Sequence, residues 1–485
     1  MKSQRAKQYQ GSKPMKISYH DIRTHQADGG ALYYYSEVSQ LISEDKFAHA
    51  SAEPHDIFQL CASSESEQSK FVQRLGHQDV LVSNIGPYAH LYHYLRERYD
   101  GSFRIIRDVR TSSWSGFLHQ ELLSGPLSRR DDAVIFPSEF SRRYFMQRFP
   151  DSLHDDNAMV CYPLTASFPS HVERTRSNHR YRVGYIGRLS NDKNFHQVLG
   201  IFARYYKDTN GKASLYLAGP FDANSTFRSK RAILRALKRV GVPADRITYL
   251  GNLAYREIWR FYANIDVLLF PALASVESMG RILIEAARAR LPVIAATYAA
   301  SPELANIEDL ATTYHELDRT FQLNSIFSFG HIDKVDAAQR LSSARVIDDC
   351  SRFPRYQPST YYNILLGRNN NQALELHPII AAFIDALQVT HLSPLTRNEA
   401  MTQCSTLLGY FRRYNDNHLL ARFSLLMANM SFSFEKAEIY INRILYPNRR
   451  FLLAHARAHC RYVDFSPVGI LRPDTTTART QLAST

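Results

Sequence analysis

The sequence predicts an α/β protein built from two doubly wound units facing a cleft, followed by a mainly helical extension. Three observations predict it. Short apolar runs alternate with helix-length amphipathic segments over 15–165 and again over 181–310; this pattern belongs to parallel sheets covered on both faces. A polar, charged, aperiodic stretch at 166–180 separates the two series and reads as a linker. Beyond about residue 310 the strand-like runs fade and helical spacing takes over up to about 465.

The elements follow in chain order. Residues 1–14 are polar and basic and read as a disordered leader; no apolar run behind them suggests a secretory signal. Met15–His20 reads as a strand, Asp28-Gly29-Gly30 as a turn, and Ala31–Ser43 as a helix. Further strands are expected at Asp56–Leu60, Asp79–Ser83, Phe103–Val109, Ala133–Pro137 and Met159–Tyr162, with helices at Tyr88–Arg98 and Ser138–Phe149. In the second unit, strands are expected at Arg182–Gly187, Ser214–Gly219, Ile247–Leu250, Asp266–Pro271 and Pro292–Ala296. The helices between them are Phe195–Tyr206, Ser225–Val240, Tyr255–Ala263 and Arg281–Arg290. In the extension, helical spacing recurs at Pro378–Leu387, Asn398–Arg413, Asn417–Asn429, Phe434–Leu445 and Arg450–Arg461. The Pro/Thr-rich tail at 466–485 reads as loose.

Composition narrows the function classes. Of 485 residues 45% are apolar and 22% charged, which argues against whole-chain disorder. Lys plus Arg number 59 against 46 Asp plus Glu, so the net charge is +13 and the partners are expected to be anionic. No run reaches the ~18 apolar residues of a spanning helix. The five cysteines lie far apart without metal-ligand spacing, as expected of reduced thiols in a cytoplasmic protein.

The chemistry concentrates in the second unit. Gly187-Arg188 closes a strand and Lys193 opens a helix. Two cations beside free helix amides suit a diphosphate, although Arg-x(4)-Lys alone better fits a solvated strand end. The loop 271–280 carries Glu277, and Gly280 admits a ligand close to the backbone as the next helix begins. Glu285 lies among Ile282, Leu283, Ile284, Ala286 and Ala287, so its carboxylate needs donors. Ribose hydroxyls would serve, and so would a neighbouring loop or an arginine.

These segments, with Leu250-Gly251-Asn252-Leu253, Tyr262-Ala263-Asn264-Ile265-Asp266-Val267, Leu291-Pro292-Val293-Ile294-Ala295 and Pro302-Glu303-Leu304, occur in an order that resembles the retaining GT-B glycosyltransferases of family four, the group one type. The resemblance is strong over about 181–305, moderate over 15–165 and absent beyond about 310. It implies two Rossmann-like domains: an acceptor-side domain at 15–165 and a nucleotide-sugar domain at 181–310. The resemblance further implies that Arg188 and Lys193 hold the donor diphosphate, that Glu285 binds the ribose and that Glu277 touches the transferred sugar. Ser278, Met279 and Gly280 would contact phosphate or sugar, Gly251, Asn252 and Leu253 would line the base pocket, and Gly29 and Gly30 would approach the phosphates from the first domain.

Two departures stand out. The loop reads Glu277-Ser278-Met279-Gly280 where the family often has Glu-Gly-Phe-Gly, which bears on sugar selectivity. Where the family often has a histidine, this chain has Arg107-Asp108. Asp108 is therefore the acceptor-side candidate, with His119 and His25 as alternatives and a structural pairing with Arg107 or Arg110 equally open. No Asp-x-Asp triplet occurs, so no metal or other cofactor is expected beyond a UDP- or GDP-sugar donor. The acceptor, a glycan, a lipid-linked molecule or a protein, is not specified; nucleic acid is disfavoured because no recognition motif occurs. The basic aromatic stretches Tyr88–Tyr99 and Ser141–Phe149 leave open a peripheral contact with the inner membrane face, while a buried apolar face with solvated cations fits them better. A binding protein on the same fold without turnover is the main rival to an enzyme.

Overall fold

A computed structural model describes residues 15–21, 30–43, 50–84, 86–110, 115–161, 168–175, 181–191, 193–222, 225–273, 277, 279–318, 327–347, 358–368, 377–387, 391, 394–414 and 460–465. The predicted leader at 1–14, the tail at 466–485, the helices at Asn417–Asn429, Phe434–Leu445 and Arg450–Arg461, and the candidates His25, Gly29 and Ser278 fall outside them.

The first unit runs β1 (Met15–His20), α1 (Gly30–Ser43), β2 (Ala50–His55), α2 (Ile57–Ala62), α3 (Glu65–Gln73), β3 (Val80–Ser83), α4 (Ala89–Arg98), β4 (Arg104–Asp108), α5 (Ser115–Ser124), β5 (Ala133–Phe136), α6 (Glu139–Arg148) and β6 (Ala158–Val160). Its six parallel strands are ordered β2-β1-β3-β4-β5-β6. The strand expected at Asp56–Leu60 is instead helix α2. The Asp56 carboxylate accepts from the amides of Phe58 and Gln59 and so starts a helix. The strand lies one segment earlier, at Ala50–His55. It is an edge strand, polar and interrupted by Pro54, and lacks the apolar run that marks the buried strands.

The second unit runs β7 (Tyr181–Ile186), α7 (Phe195–Asp208), β8 (Ala213–Ala218), α8 (Lys230–Arg239), β9 (Ile247–Tyr249), α9 (Tyr255–Ala263), β10 (Val267–Phe270), α10 (Arg281–Arg288), β11 (Val293–Ala296), α11 (Ser301–Leu304) and β12 (Leu310–Ala311). The parallel order β9-β8-β7-β10-β11-β12 is the doubly wound order, with its switch point between β7 and β10. α8 starts later than the predicted Ser225, because the Ser229 hydroxyl caps it by accepting from the Ala232 amide. The described part of the linker, residues 168–175, is irregular and lies on this unit: Arg174 donates to the carbonyls of Ile265 and Arg290, and the Phe168 ring meets Trp259 at 5.1 Å.

Beyond 311 lie β13 (Thr313–Asp318), β14 (Phe327–Ile332), α12 (Lys334–Arg340), α13 (Pro358–Leu365), α14 (Pro378–Leu387), α15 (Arg397–Tyr414) and β15 (Cys460–Phe465). The extension thus contains strands where none were expected: β14, β13 and β15 form a small antiparallel sheet. The partner strand β15 lies far along the chain from β13, so no local pattern announces the pairing. Helix α15 buries Ala400, Cys404, Leu407, Leu408 and Phe411 in one cluster with Ile57, Phe71 and Leu91 of the first unit. Helix α12 packs on α7 of the second.

The two basic aromatic stretches of the first unit are core layers. In α4, Tyr92, Tyr94, Leu95 and Arg96 are buried, and Arg96 pairs with Asp132 at 2.7 Å. In α6, Arg142 is buried and pairs with Glu139 at 2.7 Å and with Asp155. A parallel sheet needs both faces covered, and these rings supply the cover. Among the described residues no helix is long and apolar enough to cross a membrane.

Candidate functional site

The carboxyl edge of the second sheet brings the predicted donor residues into one region. Three strand-end glycines line up there. The Gly219 amide donates to Gly251 O at 2.7 Å, and a Cβ on Gly219 would stand 1.9 Å from Gly187 O. With φ at +125°, position 219 has neither the space nor the backbone conformation for a side chain. The chain therefore turns back tightly after β7, β8 and β9, and leaves the edge open.

Lys193 and Glu277 meet in this region. The Lys193 ammonium donates to Glu277 Oε2, and both side chains are partly exposed. Asn194 supports the pair from below. It sits at φ +51° as the N-cap of α7, and its amide donates to Pro271 O at 3.2 Å, tying the β10 loop to the α7 N-terminus. Arg188 pairs with Asp222 at 2.9 Å. Its side chain is 43% exposed. Asn252 is exposed beside it in the chain order of strand ends, and Leu253 packs its half-buried side chain on the core.

Gly280 begins α10 at φ +81°, and a Cβ there would lie 2.7 Å from the Phe270 ring. Met279 before it is buried. Glu285, 7% exposed, points inward. Its Oε2 accepts from Tyr262 Oη at 2.7 Å and its Oε1 from Arg281 Nε at 2.7 Å. The arginine partner left open by the sequence is therefore Arg281. Each carboxylate oxygen keeps a second lone pair for a further donor. Burial pushes the Tyr262 phenol up, and the Glu285 charge adds to it.

Arg281 joins the two units. Its Nη2 donates to Glu37 Oε1 on α1 at 3.0 Å and to Tyr255 Oη at 3.0 Å, and its guanidinium lies over the rings of Phe168 and Tyr255. Burial alone would lower its pKa, but Glu37 and Glu285 hold it above the ordinary value. Helix α1, which Arg281 grips, starts at Gly30. A second inter-unit contact is made by Glu303, whose two carboxylate oxygens accept from the Glu139 and Phe140 amides at the start of α6 at 3.0 and 2.8 Å.

The first-unit candidates are enclosed. Asp108, 3% exposed, accepts from Arg110 Nη2 at 2.9 Å and from Tyr361 Oη at 3.2 Å. Arg107 turns away to Glu121 at 3.0 Å. His119 is fully buried in the first unit, burial lowers its pKa to about 3, and neither ring nitrogen has a hydrogen-bond partner. It does not face solvent. Cys61, Cys161 and Cys404 are free and buried, and burial pushes their thiols up, away from nucleophile chemistry.

Sequence reasoning missed Glu37, Asp222, Tyr262, Arg281 and Tyr361. The i,i+4 spacing of Arg281 and Glu285 was a readable signal. The other pairings cross between elements and leave no local trace.

The six-stranded parallel sheets with their flanking helices form the GT-B architecture. Solved structures that resemble the chain include Anabaena HepE in complex with UDP (13% identity, 82% of this chain and 100% of that one, TM-score 0.46). Others are a glycosyltransferase from Rickettsia africae (10%, 84% and 100%, 0.44) and the N-terminal domain of Candida albicans trehalose-6-phosphate phosphatase (11%, 78% and 97%, 0.45). No curated protein matches the chain. Residues 169–311, which contain every donor candidate of the second unit, match the model of the family described as Glycosyl transferases group 1.

Proposed function

We propose that the protein transfers a sugar from a nucleoside diphosphate sugar, UDP- or GDP-linked, to an acceptor hydroxyl, with retention at the anomeric carbon and without a metal. The observation that carries this reading is the Lys193–Glu277 pair at the open strand edge, beside Gly280 and inside the segment that matches the transferase family. On donor binding the diphosphate takes up Lys193 and Arg188, and Glu277 is released toward the sugar. The C1–O bond to the diphosphate breaks as the two cations stabilise the charge that develops on the leaving oxygen. That oxygen accepts the proton of the acceptor hydroxyl, whose oxygen forms the new bond to C1 on the same face of the sugar. Closure of the two units excludes water.

The deciding experiment is a thermal-shift screen against UDP, GDP and their sugars, followed by nucleotide release with candidate acceptors. A shift with one base and release that needs an acceptor supports the reading. No shift with any nucleotide sinks it, and a shift with no release under any acceptor favours a sugar-nucleotide binding protein.

A further inference from the structure

We propose that the exposed face of helix α8 docks the protein electrostatically on an anionic phospholipid surface. The segment Arg228–Arg239 reads RSKRAILRALKR, with six cations and no acid. Lys230, Arg231, Arg235, Lys238 and Arg239 are all exposed, while Ile233 and Leu237 are buried against the unit. Among the described residues none of these five cations forms an ion pair. At 100° per residue Arg231, Arg235, Lys238 and Arg239 share one face, and they run about 12 Å along the helix.

The stripe works against the helix that carries it. Arg231–Arg235 and Arg235–Arg239 are like-charge neighbours at i,i+4, which destabilise a helix. Lys230 and Arg231 stand in the first turn, where the helix dipole favours acids. Helix stability therefore explains Lys238 and Arg239 in the last turn but not Lys230, Arg231 and Arg235, whereas an external anion accounts for all five.

A lipid surface fits better than nucleic acid. No aromatic ring lies on the exposed face to stack a base, and no amide or hydroxyl accompanies the cations there to read base edges. The apolar face is already packed, so the contact is a charged one with headgroups rather than insertion. Because α8 follows β8, its N-terminus lies toward the strand edge that carries Arg188. Docking along α8 would bring the donor edge close to the surface, where a lipid-carried acceptor resides.

The test is sedimentation of the full chain with vesicles of equal parts phosphatidylglycerol and phosphatidylcholine, with pure phosphatidylcholine as control. Binding to the anionic vesicles only, and its loss in high salt, is expected. Removing one cation by Arg235→Gln should weaken it about fivefold. The quadruple variant Arg231→Gln/Arg235→Gln/Lys238→Gln/Arg239→Gln should nearly abolish it, with unchanged unfolding temperature and nucleotide-induced shift. No binding to anionic vesicles at low salt, or equal binding by the folded quadruple variant, overturns the proposal. So does tighter binding of a DNA duplex that the same variant loses. The nucleotide shift is read separately, so sugar transfer can stand while the docking surface falls.

Discussion

The Arg281 guanidinium bridges two carboxylates from different units, Glu37 at 3.0 Å and Glu285 at 2.7 Å, with only 12% of its own side chain exposed. One cation thus connects the buried carboxylate expected at the donor ribose to helix α1 of the first unit. Removing it takes the cation from two buried carboxylates, whereas removing Glu37 leaves Arg281 paired with Glu285. Arg281→Met should therefore destabilise by about 3–5 kcal/mol, and Glu37→Gln by clearly less. Denaturant unfolding of both variants and their double mutant checks the coupling. Additive effects would show that the pair does not hold the units together.

Arg188 is held by Asp222 in the absence of a ligand, so a diphosphate must compete with that carboxylate. Asp222→Asn should tighten nucleoside diphosphate binding about threefold to tenfold, and Arg188→Ala should weaken it by a similar factor or more. This follows from an exposed pair of about 1 kcal/mol being lost before binding. Calorimetric titration with UDP and GDP reads both. Weaker binding by Asp222→Asn would mean that Asp222 orients Arg188 instead of competing for it.

Lys193→Ala and Glu277→Ala should each lower turnover about 100-fold or more, the scale of a lost charge-stabilising contact. Both side chains are partly exposed and make few core contacts, so the unfolding temperature should barely move. Lys193→Ala should also weaken nucleotide binding, while Glu277→Ala should leave it intact. Near-normal turnover in either folded variant removes that residue from the mechanism.

Glu303 caps a helix of the other unit with both oxygens. Glu303→Gln keeps the shape but loses the charge that faces the α6 N-terminus, and should cost about 1–2 kcal/mol. If nucleotide closes the units, the same variant should shift the nucleotide-dependent stabilisation. A change in stability alone would confine Glu303 to a static cap.

Acid should unfold the protein early. His55 and His119 are pushed by burial to about 3, and His90 and His93 fall well below the ordinary value for the same reason. All four stay neutral in the fold and take protons once unfolded. Stability is thus complete above the unfolded value of about 6.5 and falls as pH drops toward 3, by about 1.4 kcal/mol per pH unit for each such histidine. His119→Phe should flatten that slope by one proton. An unchanged slope in a folded variant would show that His119 titrates normally.

The sequence by itself determined the two doubly wound units, the order of the donor motifs and most helix and strand positions in the second unit. Those features rest on apolar periodicity, helix caps and strand-end glycines, which act over a few residues. It misplaced β2 because a polar edge strand carries no such signal, and it missed the β13–β14–β15 sheet because its partners are remote in sequence. Tertiary structure alone decided which charges meet. Arg188 could have stayed solvated at its strand end, yet it lies against Asp222; Glu285 could have waited for ribose alone, yet it already holds Arg281 and Tyr262. Asp108 looked open to an acceptor and is closed over by Arg110 and Tyr361. The choice among opposite charges depends on which strand ends and helix starts are neighbours in space, and on the cost of leaving any buried charge without a partner.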